Sequence, residues 1–315
     1  MTALLEAQGL TKTFGNGVKA VSNVNLSVSA GETLGIVGES GCGKSTTAKM
    51  LLRLLAPDAG GVYFDDVEVT RAKGSRLRSL RRRLQVVPQN PQTSLNPRLT
   101  VQSSIEFTMR AQGFARTARS RKVPELLDRV GLDPSFAGRY PHQLSGGQLQ
   151  RVAIARALST EPDVVICDEA VSALDKSVQA QVLNLLSDLQ RDLGVAYVFI
   201  SHDLGVVEHI ADRVAVMYLG RIVEEGPADS LWSDPKHPYT QALISSAPGT
   251  DTKRIVLTGE LPNPADPPSG CGFRTRCPIA IDDCAQTWPD LHVVGRRHLV
   301  SCVHHRDAPE AEFVD

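Results

Sequence analysis

The 315-residue chain is 42% hydrophobic, 22% charged and 5% aromatic, which excludes a disordered or fibrous protein. At roughly 150 residues per domain the length allows two domains, or one large domain with an appendage. Lys and Arg number 34 against 35 Asp and Glu, so a net charge of -1 offers no global basic field for nucleic acid. No stretch reaches ~18 uncharged apolar residues, and the start, MTALLEAQGL, lacks the basic and apolar parts of a secretory signal. A cytoplasmic chain without membrane spans is expected.

The first strand signal is the alternation of Val24, Leu26 and Val28 with polar neighbours. Thr33 to Val37 forms a short apolar run that ends at Gly38, and a helical stretch follows from Lys44 to about Leu55. Val62, Phe64, Val67 and Val69 indicate more β structure, with Asp65-Asp66 as its turn. The basic run RAKGSRLRSLRRR, residues 71–83, is read as the solvated face of a surface helix rather than a nucleic-acid or lipid patch, because no aromatics interleave it. Leu84 to Val87 is another brief strand.

From about 100 to 160 the pattern is helical, broken near Gly113 and Gly131, with a third stretch from Gln148 to Leu158. Val164 to Cys167 is a continuous apolar run bounded by acids, as expected of a buried parallel strand. A helix from about Ser177 to Leu193 leads to a second such run, Ala196 to Ile200. Strands alternating with helices predict a mainly parallel α/β sheet. After about residue 250, Pro262, Pro264, Pro267 and Pro268 read as a linker.

Gly38-Glu39-Ser40-Gly41-Cys42-Gly43-Lys44-Ser45 matches G-x-x-x-x-G-K-S/T between a predicted strand and a predicted helix. Glycines at these positions let backbone N–H groups curl around phosphate oxygens, and the helix start adds a positive dipole. Lys44 then reaches the β- and γ-phosphates, and the Ser45 hydroxyl ligates Mg²⁺. Such a loop needs an acidic metal partner at a neighbouring strand end. Asp168 and Glu169 follow Val164–Cys167, Asp168 to hold Mg²⁺ and Glu169 to polarise a water beside the γ-phosphate. Leu144-Ser145-Gly146-Gly147-Gln148 opens a helix and makes a second phosphate-cradling N-terminus.

Gly38–Ser45, Gln89, Leu144–Gln148, Asp168–Glu169, Ser172–Asp175 and His202 occur in the order and spacing of ABC-transporter ATPase subunits, which the chain resembles over about residues 4–245. Ser94-Leu95-Asn96-Pro97, Val171 to Leu186, Lys236-His237-Pro238-Tyr239-Thr240 and Arg276-Cys277-Pro278 are similar to the oligopeptide/dipeptide importer branch. The resemblance implies a P-loop ABC ATPase over residues 1–250, with a RecA-like core, an N-terminal antiparallel β subdomain and a helical signature subdomain at about 90–160. A small cysteine-rich C-terminal extension, 251–315, would follow.

The resemblance also assigns roles. Phe14 stacks on adenine, and Gly38 to Ser45 with Thr46 bind ATP. Gln89 contacts Mg²⁺ and the attacking water, and His202 bridges γ-phosphate and Glu169. Ser145, Gly146, Gly147 and Gln148 meet the ATP of an opposite subunit, and Ser172, Ala173, Leu174 and Asp175 help assemble that shared site. Implied partners are a second, related ATPase subunit, two integral membrane permease subunits and, indirectly, an extracytoplasmic binding protein, with no nucleic acid. The implied cargo is di- or oligopeptides; glutathione, a nickel chelate, or a soluble non-transport ATPase role stand as alternatives.

Cys271, Cys277, Cys284 and Cys302 fall within 32 residues. Structural zinc usually takes tight C-x2–4-C pairs, absent here. The wider spacing suits a four-cysteine iron–sulfur cluster better, although no standard ferredoxin pattern matches. Branch members with this cysteine pattern look like carriers of a 4Fe–4S cluster. Zinc and four unligated thiols remain the alternatives.

Overall fold

A computed structural model describes residues 3–247 and 254–306. The boundary expected at residue 250 lies outside the described residues. In chain order the elements are β1 (Ala3–Thr13), β2 (Lys19–Ser29), β3 (Thr33–Val37), α1 (Lys44–Leu51), β4 (Ala59–Phe64), β5 (Val67–Glu68) and α2 (Gly74–Arg83). Next come β6 (Leu84–Val87), α3 (Pro91–Ser94), α4 (Val101–Ala111), α5 (Arg116–Arg129), α6 (Gly146–Leu158), β7 (Val164–Asp168), α7 (Lys176–Leu193) and β8 (Ala196–Ile200). The chain continues through α8 (Leu204–Ile210), β9 (Arg213–Tyr218), β10 (Arg221–Pro227), α9 (Ala228–Ser233), α10 (Pro238–Ser245), β11 (His292–Gly295) and β12 (His298–Val300). The described residues fall into two compact units, one of residues 3–5, 28–32 and 63–200, the other of 6–27, 33–62, 201–247 and 254–306.

In the first unit β6, β7 and β8 run parallel, with Val86 opposite Ile166 and Ile166 opposite Val198. Val164 to Cys167 is wholly buried, so the unbroken apolar run is a central strand as read. α6 buries Leu149, Val152, Ala153, Ile154 and Ala155 on several faces, a helix enclosed by its neighbours rather than laid on a surface. α2 buries only Leu80 and leaves Arg76, Arg78, Arg81 and Arg82 exposed as the sequence indicated, while Arg83 at its end pairs with Asp65 and Asp163. Asp65 and Asp66 take φ of 51° and 58°, the left-handed pair that a tight hairpin turn between β4 and β5 demands.

In the second unit the sheet order is β11–β12–β10–β9–β3, with β3 parallel to β9 and the other pairs antiparallel. The proline run is not a free linker: Lys19 N–H donates to the Pro264 carbonyl at 3.3 Å, so this segment lies along β2. β10 carries Glu224 with no exposed surface. Its carboxylate accepts from Lys236 N–H at 2.7 Å and His237 N–H at 2.9 Å, and meets His298 Nε2 at 2.7 Å. Burial pushes this carboxyl up, but the hydrogen bonds outweigh burial and hold it below its ordinary range. One buried acid thereby fixes both the entry to α10 and strand β12.

His237 caps α10, its Nδ1 accepting from Tyr239 N–H at 3.1 Å. It is 2% exposed, and burial pushes its pKa down to about 4, opposed by the charge of Glu224 and aided by that of His305. A histidine that is neutral when folded but titrates near its ordinary value when unfolded contributes stability that is full above pH 6.5 and lost as pH falls toward 4. The loss amounts to at most about 3 kcal/mol. H237N keeps a capping oxygen and removes the titration, so chemical denaturation between pH 6.5 and 5 is expected to show a flatter pH dependence in H237N than in the wild type.

Candidate active site

The second unit holds the glycine-rich loop expected to bind phosphate, between β3 and α1. Its glycines answer to sterics. Gly38 has φ 150° and a Cβ there would lie 2.1 Å from the Met217 carbonyl oxygen; Gly43 has φ 111° and its Cβ would meet the Ala20 carbonyl oxygen at 2.2 Å. Backbone atoms cannot yield as a side chain can, so only glycine fits either place. Lys44 is 4% exposed and curls over its own loop, donating to the Gly38 and Glu39 carbonyls at 2.7 and 2.9 Å. Its ammonium lies 3.8 Å from Cys42 Sγ, and burial still pushes that thiol up against the lysine's charge. Ser40, Gly41, Ser45 and Thr46 complete the loop and the first turn of α1. Phe14 is 41% exposed, in a turn closed by Phe14 N–H to Val18 O at 2.9 Å. His202 is exposed just after Ser201, whose N–H donates to Ile36 O in β3, two residues before Gly38.

In the first unit Asp168 ends β7 and Glu169 follows with φ 50°, a left-handed conformation that a non-glycine residue adopts at a cost of about 1–3 kcal/mol. Glu169 N–H donates to the Ile200 carbonyl at 2.9 Å, which helps hold the turn. Gln89 Nε2 donates to Glu169 Oε2 at 2.6 Å. Two residues named separately from sequence, 80 positions apart, thus meet side chain to side chain.

Ser145 caps α6: its Oγ accepts from Gln148 N–H at 3.3 Å while Gln148 Oε1 accepts from Ser145 N–H at 3.0 Å. Ser145 and Gly146 are exposed, and Gly147 has no room for a Cβ, which would lie 2.5 Å from a Val178 methyl group. Ser172 and Ala173 are exposed and Leu174 half-buried. Asp175 caps α7 through Val178 N–H at 3.0 Å and Ser177 Oγ at 2.8 Å, bonds that hold its carboxyl below the ordinary range.

The four tail cysteines belong to the second unit. Among the described residues no group of three or more His, Cys, Asp or Glu side chains is arranged to hold a metal ion, so the expected iron–sulfur or zinc site is not formed in this structure. The donor chemistry nevertheless suits a thiolate-bound group. The thiols of Cys271, Cys277 and Cys302 each accept a backbone N–H from the residue two positions on, Phe273, Ile279 and His304. Burial first, and then the nearby charges of other cysteines, push Cys271 up to about 11 and raise Cys277 and Cys302.

Two residues that the sequence marked only as family signatures reach the phosphate-binding loop. Tyr239 accepts from Glu39 N–H at 2.9 Å, and Arg276 pairs with the Glu39 carboxylate. Their separations from Glu39, 200 and 237 residues, left no local signal by which spacing could have paired them.

Residues 21–172 match the ABC transporter family, and residues 223–284 match the oligopeptide/dipeptide transporter C-terminal region. A probable peptide ABC transporter ATP-binding protein of Sinorhizobium fredii is 52% identical over 93% of this chain and 84% of that protein. The oligopeptide transport ATP-binding protein AppF of Bacillus subtilis is 51% identical over 90% of this chain and 89% of its own length. Among solved structures, cbiO1 of Clostridium perfringens, part of an ABC transporter complex, superposes with a TM-score of 0.68 at 28% identity, covering 74% of this chain and 92% of that one. A dimeric ATP-binding cassette bound to ADP and Pi gives a TM-score of 0.65 at 32% identity over 71% of this chain and 98% of that one. The chain belongs to the ABC transporter ATP-binding proteins, in the branch that carries the oligopeptide/dipeptide C-terminal region. It is an ATPase of the ABC fold.

Proposed function

We propose that this chain is the ATP-hydrolysing subunit that powers import of di- or oligopeptides through a membrane transporter, from the cytoplasmic face of the cell membrane. The observation that carries the chemistry is the 2.6 Å hydrogen bond between Gln89 and Glu169, which gives the carboxylate a fixed orientation from which to polarise water. The match of residues 223–284 to the oligopeptide/dipeptide transporter C-terminal region, and relatives named for peptide transport, support the cargo. Among the described residues no helix is long and apolar enough to cross a membrane.

Lys44 and the loop amides bind the β- and γ-phosphates, and Phe14 stacks on adenine. Ser45, Gln89 and Asp168 would hold Mg²⁺, whose charge offsets that of the phosphates. Glu169 takes a proton from the attacking water, and His202 orients the γ-phosphate. The exposed start of α6, Ser145 to Gln148, serves the ATP of a second, related ATPase subunit, and Ser172 to Asp175 line the same junction. Closure on ATP and reopening after hydrolysis pass through the segment 89–101 to two permease subunits, with a binding protein outside. In that region Arg156 fixes the Ser94 carbonyl at 2.8 Å, and Phe107 stands 56% exposed.

Cys271, Cys277, Cys284 and Cys302 would hold a 4Fe–4S cluster, which would cross-link the tail; the N–H bonds to three of the sulfurs support this reading. Anaerobic purification followed by iron, sulfide and zinc assays is expected to give about four iron and four sulfide per chain, lost on changing the four cysteines to serine. Zinc in their place, or no metal, refutes the cluster.

E169Q is expected to bind ATP while turnover falls by about 10²–10⁴-fold, measured as phosphate release beside nucleotide retention. Near-normal turnover removes Glu169 from the base role.

A further inference from the structure

The phosphate-binding loop contains an acid, Glu39, in a place meant for a polyanion. An unpaired carboxylate there would repel the phosphates that the loop amides attract. Arg276 answers it with both arms, Nη1 donating to Oε2 at 2.9 Å and Nη2 to Oε1 at 3.1 Å. The two side chains are only 11% and 29% exposed, so the pair is poorly screened by water.

The arginine is placed rather than reaching. Nη1 also donates to Tyr218 Oη at 3.4 Å, and Phe273, three residues earlier, packs edge-on against Tyr218 and Tyr239 with ring centroids 5.3 and 5.5 Å away. Tyr239 in turn takes the Glu39 N–H at 2.9 Å, while Lys44 takes the Glu39 carbonyl at 2.9 Å. Glu39 is therefore held at its amide, its carbonyl and its carboxylate, and two of those three partners lie far outside the loop in sequence.

We propose that Arg276 and Tyr239 are positioning residues of the nucleotide site, and that Arg276 supplies the counter-charge that lets Glu39 sit in the phosphate-binding loop. The tail then bears on the affinity for ATP directly through Arg276, which neutralises the loop, while Tyr239 of α10 fixes the loop's backbone. This rests on the loop being the nucleotide site, which a K44A control tests separately.

The test is calorimetric titration of ATP with Mg²⁺ into the full-length chain at low ionic strength, on wild type, R276Q, E39Q and E39Q/R276Q. R276Q is expected to weaken binding about tenfold, with the deficit shrinking in high salt. E39Q/R276Q is expected to recover most of that loss, because the carboxylate that did the harm is gone. E39Q alone, which leaves the guanidinium unpaired, is expected to bind ATP several-fold more tightly, and it carries the test even where R276Q does not fold. Wild-type affinity in R276Q, no recovery in the double variant, or weaker binding in E39Q overturns the proposal. If K44A binds ATP like the wild type, the reading of the loop itself fails; if K44A does not bind and R276Q is unaffected, only the present inference fails.

Discussion

Glu224, a strand carboxylate without exposed surface, organises the half of the molecule that carries the phosphate-binding loop. A buried charge is costly unless hydrogen bonds replace the water it has lost. Here the replacements come from Lys236 and His237 at the entry to α10 and from His298 on β12. Meeting that need brings Tyr239, the second residue of α10, into place. It also seats β12 against β10, where Glu224 faces Val300 in register. Tyr239, which holds the Glu39 amide, thus comes from a helix whose entry is anchored on Glu224.

The loop itself is constrained from the opposite direction, by space. Gly38 and Gly43 are pressed against backbone carbonyls of β9 and β2, so the loop's path is dictated before any nucleotide arrives. Lys44, folded back onto the Gly38 and Glu39 carbonyls, satisfies its buried ammonium from within the loop. In the other unit the same economy of means appears at Glu169. A left-handed backbone, a hydrogen bond to β8 and the Gln89 amide together orient one carboxylate.

Much of this was legible in the sequence because it rests on local patterns. Apolar runs with neighbouring helices revealed β7 and β8, and glycine spacing marked the loop between β3 and α1. The paired aspartates of the β4–β5 turn and the capping box at Ser145 are likewise written within a few residues. What escaped notice depends on distance or contradicts local appearance. Glu224 and Glu225 look like a solvent-facing pair, yet both are buried, the second against Arg213 at 2.7 Å. β11 and β12 are short and histidine-bearing, without the alternation that marks a strand; β12 forms on the edge of β10, and β11 on the edge of β12. The prolines read as a spacer because nothing in their composition reports a hydrogen bond to Lys19. The pairing of Arg276 with Glu39 has no sequence signature at all beyond the two motifs that contain its ends.

On the proposed reading this chain contributes a P-loop to one ATP site and a signature helix to another, so that hydrolysis belongs to a pair of ATPase subunits. The most direct measurement is the ATPase rate per chain over a wide range of protein concentration, with sedimentation reporting the oligomeric state at each point. The rate per chain is expected to rise with concentration as dimers form, with monomer alone nearly inactive. A sedimenting monomer that hydrolyses ATP at a constant, robust rate per chain would contradict it.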